Sequence, residues 1–331
     1  MHPAISVIFF TAVSGAGYGL LFFVAVAIAI DPLACDPIVA LLALGVGATF
    51  AAAGLTSSML HLGKPLRAWR AFSQWRSSWL SREGVAALVS FVPVLLLAAL
   101  LWHYADRLTL PVLERHVLPI LRMVAVLLAA AAALTVFCTA RIYTSLKAIP
   151  AWHNAYVLPG YLLLGLLGGA SLLWLLDAAA GSGSAPWLRR GLPLLVAILA
   201  IASGLLKRAY WRHIETTPLQ STAESATGLG RFGAVRSVEA PHTEENYLTR
   251  EMGFVLARKH GVRLRTIAAL AFALTPLLLA ALAAVPALAA GATGLALLAA
   301  SAAMAGTFVE RWLFFAEAKH VVMLYYGAAR S

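Results

Sequence analysis

The stretch from Ile5 to Ile30, ISVIFFTAVSGAGYGLLFFVAVAIAI, runs for 26 residues without a charged side chain. An α-helix rises about 1.5 Å per residue, so about 20 apolar residues cross the hydrocarbon core of a bilayer. This run is long enough to span with some tilt. Residues 1–4 carry no Lys or Arg, so it reads as a first membrane helix rather than a signal peptide.

Outward from that helix the pattern repeats. Seven further apolar runs, at 38–60, 84–102, 118–140, 156–177, 187–208, 264–289 and 292–316, predict an all-α integral membrane protein, a bundle of eight transmembrane helices. Pro32 and Pro37, Pro111 and Pro119, Pro150 and Pro159, and the Gly181–Ser184 stretch punctuate the connections. The expected organisation is helices 1–6 in residues 1–208, an extramembrane segment with a short helix at 209–263, and helices 7–8 with a tail at 264–331.

Composition agrees. Hydrophobic residues make up 61% of the 331 and charged residues 12%, where soluble domains run to about a quarter charged. A soluble enzyme, a disordered chain and a disulfide scaffold are excluded. The net charge of +11 has no basic stripe on a soluble unit to serve it, so it reads as membrane-flanking charge and not as a nucleic-acid surface. Cys35 and Cys138 form no CxxC or CxxCH, which leaves no ligand set for an iron–sulfur cluster in this chain. None of the nine His lies well inside an apolar run, as a bis-His haem requires.

Basic residues set the expected orientation. Twenty Lys and Arg fall on the side of the termini, with Lys64, Arg67, Arg70, Arg76 and Arg82 in the first long connection. Five fall on the other side: Arg107, Arg115, Arg122, Arg189 and Arg190. The termini are therefore expected in the cytoplasm, with the chain in the inner (cytoplasmic) membrane of a cell.

In residues 209–263, Thr243-Glu244-Glu245-Asn246 reads as a helix start leading towards His260. Gly228-Leu229-Gly230-Arg231-Phe232-Gly233 resembles a phosphate loop only superficially, because the preceding strand and the Lys-Ser/Thr pair are missing. The segment suits a docking surface or a cap on the bundle.

Ionisable groups at membrane depth are costly and mark candidate sites. The second helix ends at Ser58-Met59-Leu60-His61-Leu62-Gly63-Lys64-Pro65, and the third starts beside Leu80-Ser81-Arg82-Glu83. A hairpin places His61 and Glu83 on one face. Arg141-Ile142-Tyr143, Trp152-His153 and Glu310-Arg311 reach the same face. A His and a carboxylate beside aromatic rings suit quinone chemistry, because quinol oxidation releases two protons with two electrons. His titrates near neutrality, and a buried carboxyl can exchange protons there. Trp69, Trp75 and Trp79 can wall a flat ring, and Arg67, Arg141 or Arg311 can orient a carbonyl. Interfacial Trp and Arg also serve as plain membrane anchors, so both readings stand for each of them.

The sequence resembles the membrane anchor subunits of dimethyl sulfoxide reductase-type molybdoenzymes. The resemblance rests on Ser58-Met59-Leu60-His61-Leu62-Gly63-Lys64-Pro65-Leu66-Arg67-Ala68, on Leu80-Ser81-Arg82-Glu83, on Arg141-Ile142-Tyr143 with Pro150-Ala151-Trp152, and on Gly306 to Arg311. It implies an anchor without redox metal of its own. Such an anchor holds a four-cluster iron–sulfur subunit and a catalytic subunit with a molybdenum bis-pterin guanine dinucleotide cofactor. It also exchanges electrons with membrane quinone, ubiquinone or menaquinone. The family's quinol-site His and Glu match His61 and Glu83. Our reading of the residues on that face adds Arg67, Trp79, Arg141, Trp152 and Arg311 to the expected quinone pocket. The 209–263 segment looks like sulfite-oxidising relatives. The reductase anchors carry external termini, whereas the charge count here places them inside. A secondary transporter, a purely structural anchor and a subunit of a polysulfide or tetrathionate reductase are the rival expectations.

Overall fold

A computed structural model describes residues 4–104, 111–181, 183–217, 221–236, 238–239, 244 and 256–325. Among these the regular structure is helical, and eight helices are long and apolar enough to cross a membrane. They are α1 (Ile5–Ile30), α2 (Pro37–Ser58), α3 (Trp79–Tyr104) and α4 (Arg115–Thr144), then α5 (Val157–Ala180), α6 (Pro186–Thr216), α7 (His260–Ala283) and α8 (Ala292–Ala316).

The observed helices outrun the apolar runs at their charged ends. Helix α3 begins at Trp79, five residues before the run at Gly84, and α6 continues past Lys207 to Thr216. The helix that contains α7 is already formed at Leu256. Lys, Arg and His are compatible with helix, so hydropathy marks the apolar stretch and not the end of the backbone hydrogen bonding. The helix start expected at Thr243 lies outside the described residues except for Glu244.

Helix α1 sits at the centre, packed against α2, α4 and α5; α3 pairs with α4, α6 and α8 pack on α5, and α7 packs against α6 and α8. Small residues set the central contact. Gly15 and Gly19 on α1 face Gly165 and Gly169 on α5. A Cβ on Gly19 would overlap the Gly165 carbonyl, and one on Gly169 would overlap the Gly19 carbonyl carbon. This reciprocal small-xxx-small seam lets two backbones touch, which gives membrane helices close packing where water supplies no driving force between them.

One end of the bundle gathers the start of α1, the end of α2, the start of α3, the end of α4 and the end of α8. The opposite end is locked by Asp36. Its carboxylate caps α2 by accepting from the Ile38 amide at 2.8 Å, and its own amide donates to Ser184 at 3.1 Å. Cys35 is buried beside it, and burial with two nearby aspartates pushes its thiol up to about 12. That thiol is a small apolar packing group and not a reactive one.

Candidate functional site

The α2–α3 connection is a folded cap. After a short 3-10 turn at Met59–His61, Pro65–Gln74 forms a long 3-10 helix that lies across the bundle end. Arg82 fastens its far side, donating to the Trp75 carbonyl at 3.0 Å and the Arg76 carbonyl at 2.6 Å. Ser81 donates to the Ala71 carbonyl. Gly84 leaves space for Phe72, because a Cβ there would come 2.7 Å from the ring.

Beneath this cap lies a cavity of about 770 Å³. Phe10, Phe72, Phe91, Tyr143 and Phe315 supply aromatic walls, and Leu55, Leu80 and Ala87 are among the aliphatic ones. Phe10 opens a π-helical turn at Phe10–Ser14 within α1, a local widening that often accompanies functional sites. Polar groups are few: Thr56 and Ser58 on α2, Lys64 and Arg67 from the cap, and Glu83 from α3. Mostly apolar walls with a few convergent polar groups are the usual make-up of a small-molecule site.

Glu83 is only 4% exposed. One carboxylate oxygen accepts a hydrogen bond from the Thr139 hydroxyl on α4. Tyr143, one helical turn further along α4, lines the same cavity. His61 ends the 3-10 turn between Met59 and Leu62, and both of these neighbours line the cavity; the His61 side chain lies outside the described residues. The structure thus brings Glu83 and Arg67 together at one pocket, with Met59 and Leu62 on either side of His61 in its lining.

The other expected site residues lie behind or beside it. Trp79 packs on Phe137 at 5.9 Å, with the Arg82 and Arg141 guanidiniums 4.3 and 5.0 Å from its ring centre. It is a cation–π platform beside the pocket. Arg141 Nε is buried with no hydrogen-bond partner among the described residues. Trp152 stacks on Phe314 at 5.5 Å and donates its indole N–H to the Phe314 carbonyl at 2.9 Å. Its neighbours Tyr143 and Phe315 stand between this stack and the cavity. Trp69 and Trp75 are exposed on the cap, with Arg70 and Arg76 near their rings.

Arg311 is buried elsewhere. Its Nε donates to Glu310 at 2.6 Å, and its guanidinium lies 4.0 Å from the Tyr161 ring centre. Glu310 also pairs with Lys207 of α6. All three ionic side chains are at most 4% exposed. Lys207 sits at the end of an apolar run and looks like flanking charge; nothing local to it signals the pairing partner on α8. Nearer the surface, Arg265 on α7 pairs with Glu215 on α6 and holds Glu317 at 2.9 Å. These pairs stitch α6, α7 and α8 together. Tyr161 stacks on Tyr143 at 5.5 Å, which links the ionic cluster to the cavity wall by ring contact.

Comparison with known proteins adds sequence kinship. The model of a family described as DMSO reductase anchor subunit (DmsC) matches residues 1–327. The chain is 31% identical over 343 aligned residues to a sulfite dehydrogenase subunit of Allochromatium vinosum, an alignment that spans 98% of this chain and 99% of that protein. It is 27% identical over 185 residues to one of the chains of the anaerobic dimethyl sulfoxide reductase of Escherichia coli strain K12, an alignment that spans 56% of this chain and 60% of that one.

Proposed function

The chain belongs to the DMSO reductase anchor subunit family, and from that premise we propose that it passes electrons between membrane quinone and an iron–sulfur partner subunit, with the capped cavity as the quinone site. The observation that carries this reading is a buried carboxylate, Glu83, facing an aromatic-walled cavity whose rim is formed by the turn that ends at His61.

The fit is chemical. Quinone as substrate is a flat apolar ring with two polar oxygens, and it exchanges two electrons together with two protons. Phe10, Phe72, Phe91 and Tyr143 offer flat apolar walls for the ring. Glu83 holds or accepts a proton at its carboxylate oxygen, and Thr139 fixes the orientation of that carboxylate. His61, the residue that ends the turn after α2, would exchange a proton through its imidazole. Arg67, on the cap, places its guanidinium at the pocket. The cap and the apolar walls exclude water from the ring. Trp79, Arg141, Trp152 and Arg311 support the walls from behind.

In this reading the electron carriers, a molybdenum bis-pterin guanine dinucleotide and four iron–sulfur clusters, belong to two partner subunits. The connection between the end of α6 at Thr216 and the start of the α7 helix at Leu256 provides a docking surface for them. The termini face the cytoplasm from the inner membrane, following the basic asymmetry. The long match to a sulfite dehydrogenase subunit favours sulfite oxidation by the catalytic partner, so that quinone is reduced here. With a sulfoxide-reducing partner the same residues would serve quinol oxidation.

The test is to purify the chain with its co-purifying subunits, assay molybdenum and iron, and mix the complex with a short-chain quinone and sulfite. Sulfite-dependent quinone reduction by a complex containing both metals is the expected result. A chain that purifies alone, without metals and without quinone turnover, would overturn the proposal.

A further inference from the structure

A second concavity lies between α6 and α7, a groove of about 1120 Å³. Gly204 lets the two helices approach, since a Cβ there would stand 3.1 Å from the Ala273 Cβ. The walls change character along the groove. On α6, Ile201 and Leu205 give way to Arg208, Arg212 and His213. On antiparallel α7, Leu277, Leu274 and Leu270 give way to Thr266 and Arg265. The α6 wall therefore turns from apolar to basic towards the end of the bundle that holds the cavity, while Arg265 on α7 is paired with Glu215 and Glu317. Leu205, Leu270 and Leu274 are more than 40% exposed, so the apolar half is open to the surroundings of the bundle.

The charges do not cancel. Glu215, the one carboxylate lining the groove among the described residues, is paired with Arg265. Arg208 and Arg212 have no carboxylate partner among the described residues. From Ala269 to Leu277 the apolar wall of α7 runs about 12 Å along the helix axis, a length that suits a lipid tail.

We propose that this groove binds an anionic phospholipid. Arg208, Arg212 and His213 hold the phosphodiester, and the acyl chains lie along Leu205 and Leu270 to Leu277. A free anion would leave the apolar wall unused, and a zwitterionic headgroup would bring its own cation against Arg208 and Arg212. Basic pockets between membrane helices are suited to such headgroups. The proposal is independent of the quinone reading.

The test uses the purified complex, delipidated in zwitterionic detergent. It is titrated separately with phosphatidylglycerol, phosphatidylcholine and inorganic phosphate. Thermal stability is read by intrinsic fluorescence and retained lipid by native mass spectrometry. Phosphatidylglycerol is expected to raise Tm and remain bound, while phosphatidylcholine and phosphate do neither. Arg208→Gln with Arg212→Gln should weaken phosphatidylglycerol binding about thirty-fold. Arg189→Gln with Arg190→Gln, which removes an exposed arginine pair from the other end, should leave it unchanged. The proposal is overturned if wild type shows no preference for phosphatidylglycerol over phosphatidylcholine, or if phosphate alone reproduces the effect. It is equally overturned if the Arg208 and Arg212 variant binds like wild type, or if the opposite-end variant weakens as much. The wild-type comparison decides the matter even if the double variant does not fold.

Discussion

The Glu83 carboxylate on α3 accepts a hydrogen bond from the Thr139 hydroxyl on α4, at the wall of a cavity that the α2–α3 connection covers. A buried carboxylate with one oriented partner is a group built to be held in place, because losing the partner strands it in a medium that solvates charge poorly.

Thr139→Val keeps the volume and removes the hydroxyl. It should destabilise the bundle by about 1–3 kcal/mol and slow quinone turnover, while Thr139→Ser restores both. Thermal unfolding followed by fluorescence, with quinone assays on the same samples, checks this. Equal behaviour of the Val and Ser variants would show that the hydrogen bond plays no part.

The ionic cluster predicts an order of effects. Glu310 is the anion shared by Lys207 and Arg311. Glu310→Ala leaves two buried cations unpaired and should cost about 3–5 kcal/mol. Lys207→Met leaves Glu310 paired with Arg311 and should cost clearly less. Comparing the melting temperatures of the two variants in detergent settles the order; a Lys207→Met loss as large as that of Glu310→Ala contradicts it.

The glycine seam predicts a sharp positional contrast. Gly19→Ala places a methyl against the Gly165 carbonyl and should lower stability by about 1–3 kcal/mol or more. Gly45→Ala on α2 meets open space and should be neutral or stabilising by about 0.5–1 kcal/mol. Paired thermal melts of the two variants are the measurement.

Glu317, just past α8, titrates above the usual carboxylate range, because burial outweighs the opposing Arg265 charge. A carboxyl whose folded pKa is raised binds its proton more tightly folded than unfolded. Its contribution is therefore full below the unfolded value and is lost as pH rises through the folded one. Stability plotted against pH should fall through that window in wild type, and Glu317→Gln should flatten the fall. An unchanged slope in the variant would exclude Glu317 as its source.

Long uncharged runs made the eight helices legible, because spanning a bilayer constrains length and composition residue by residue. The ends of α6 and α7 were less so, since helix continues into charged sequence that hydropathy reads as loop. At the site, Glu83 was legible as a carboxylate beside an apolar run, and Arg67 as a neighbour in the same connection. Tyr143 was legible only as part of Arg141-Ile142-Tyr143 on that face, and Thr139 not at all, because a Thr inside an apolar helix signals nothing until α3 and α4 take their register. Lys207 shows the opposite error. It counts as flanking charge in sequence, yet it is buried against Glu310 more than a hundred residues away. Arg311 and Trp152 lie on the expected face, but their partners are Glu310 and Phe314, one layer behind the cavity.

The most direct test of the quinone site is steady-state turnover of the complex carrying Glu83→Gln or His61→Ala, measured in parallel with quinone and with a water-soluble dye that takes electrons from the partner subunits. Both variants should assemble with normal molybdenum and iron and keep the dye-linked rate, while quinone-linked turnover falls by about 10²–10⁴-fold. Full quinone-linked turnover in both variants would contradict the assignment of this cavity.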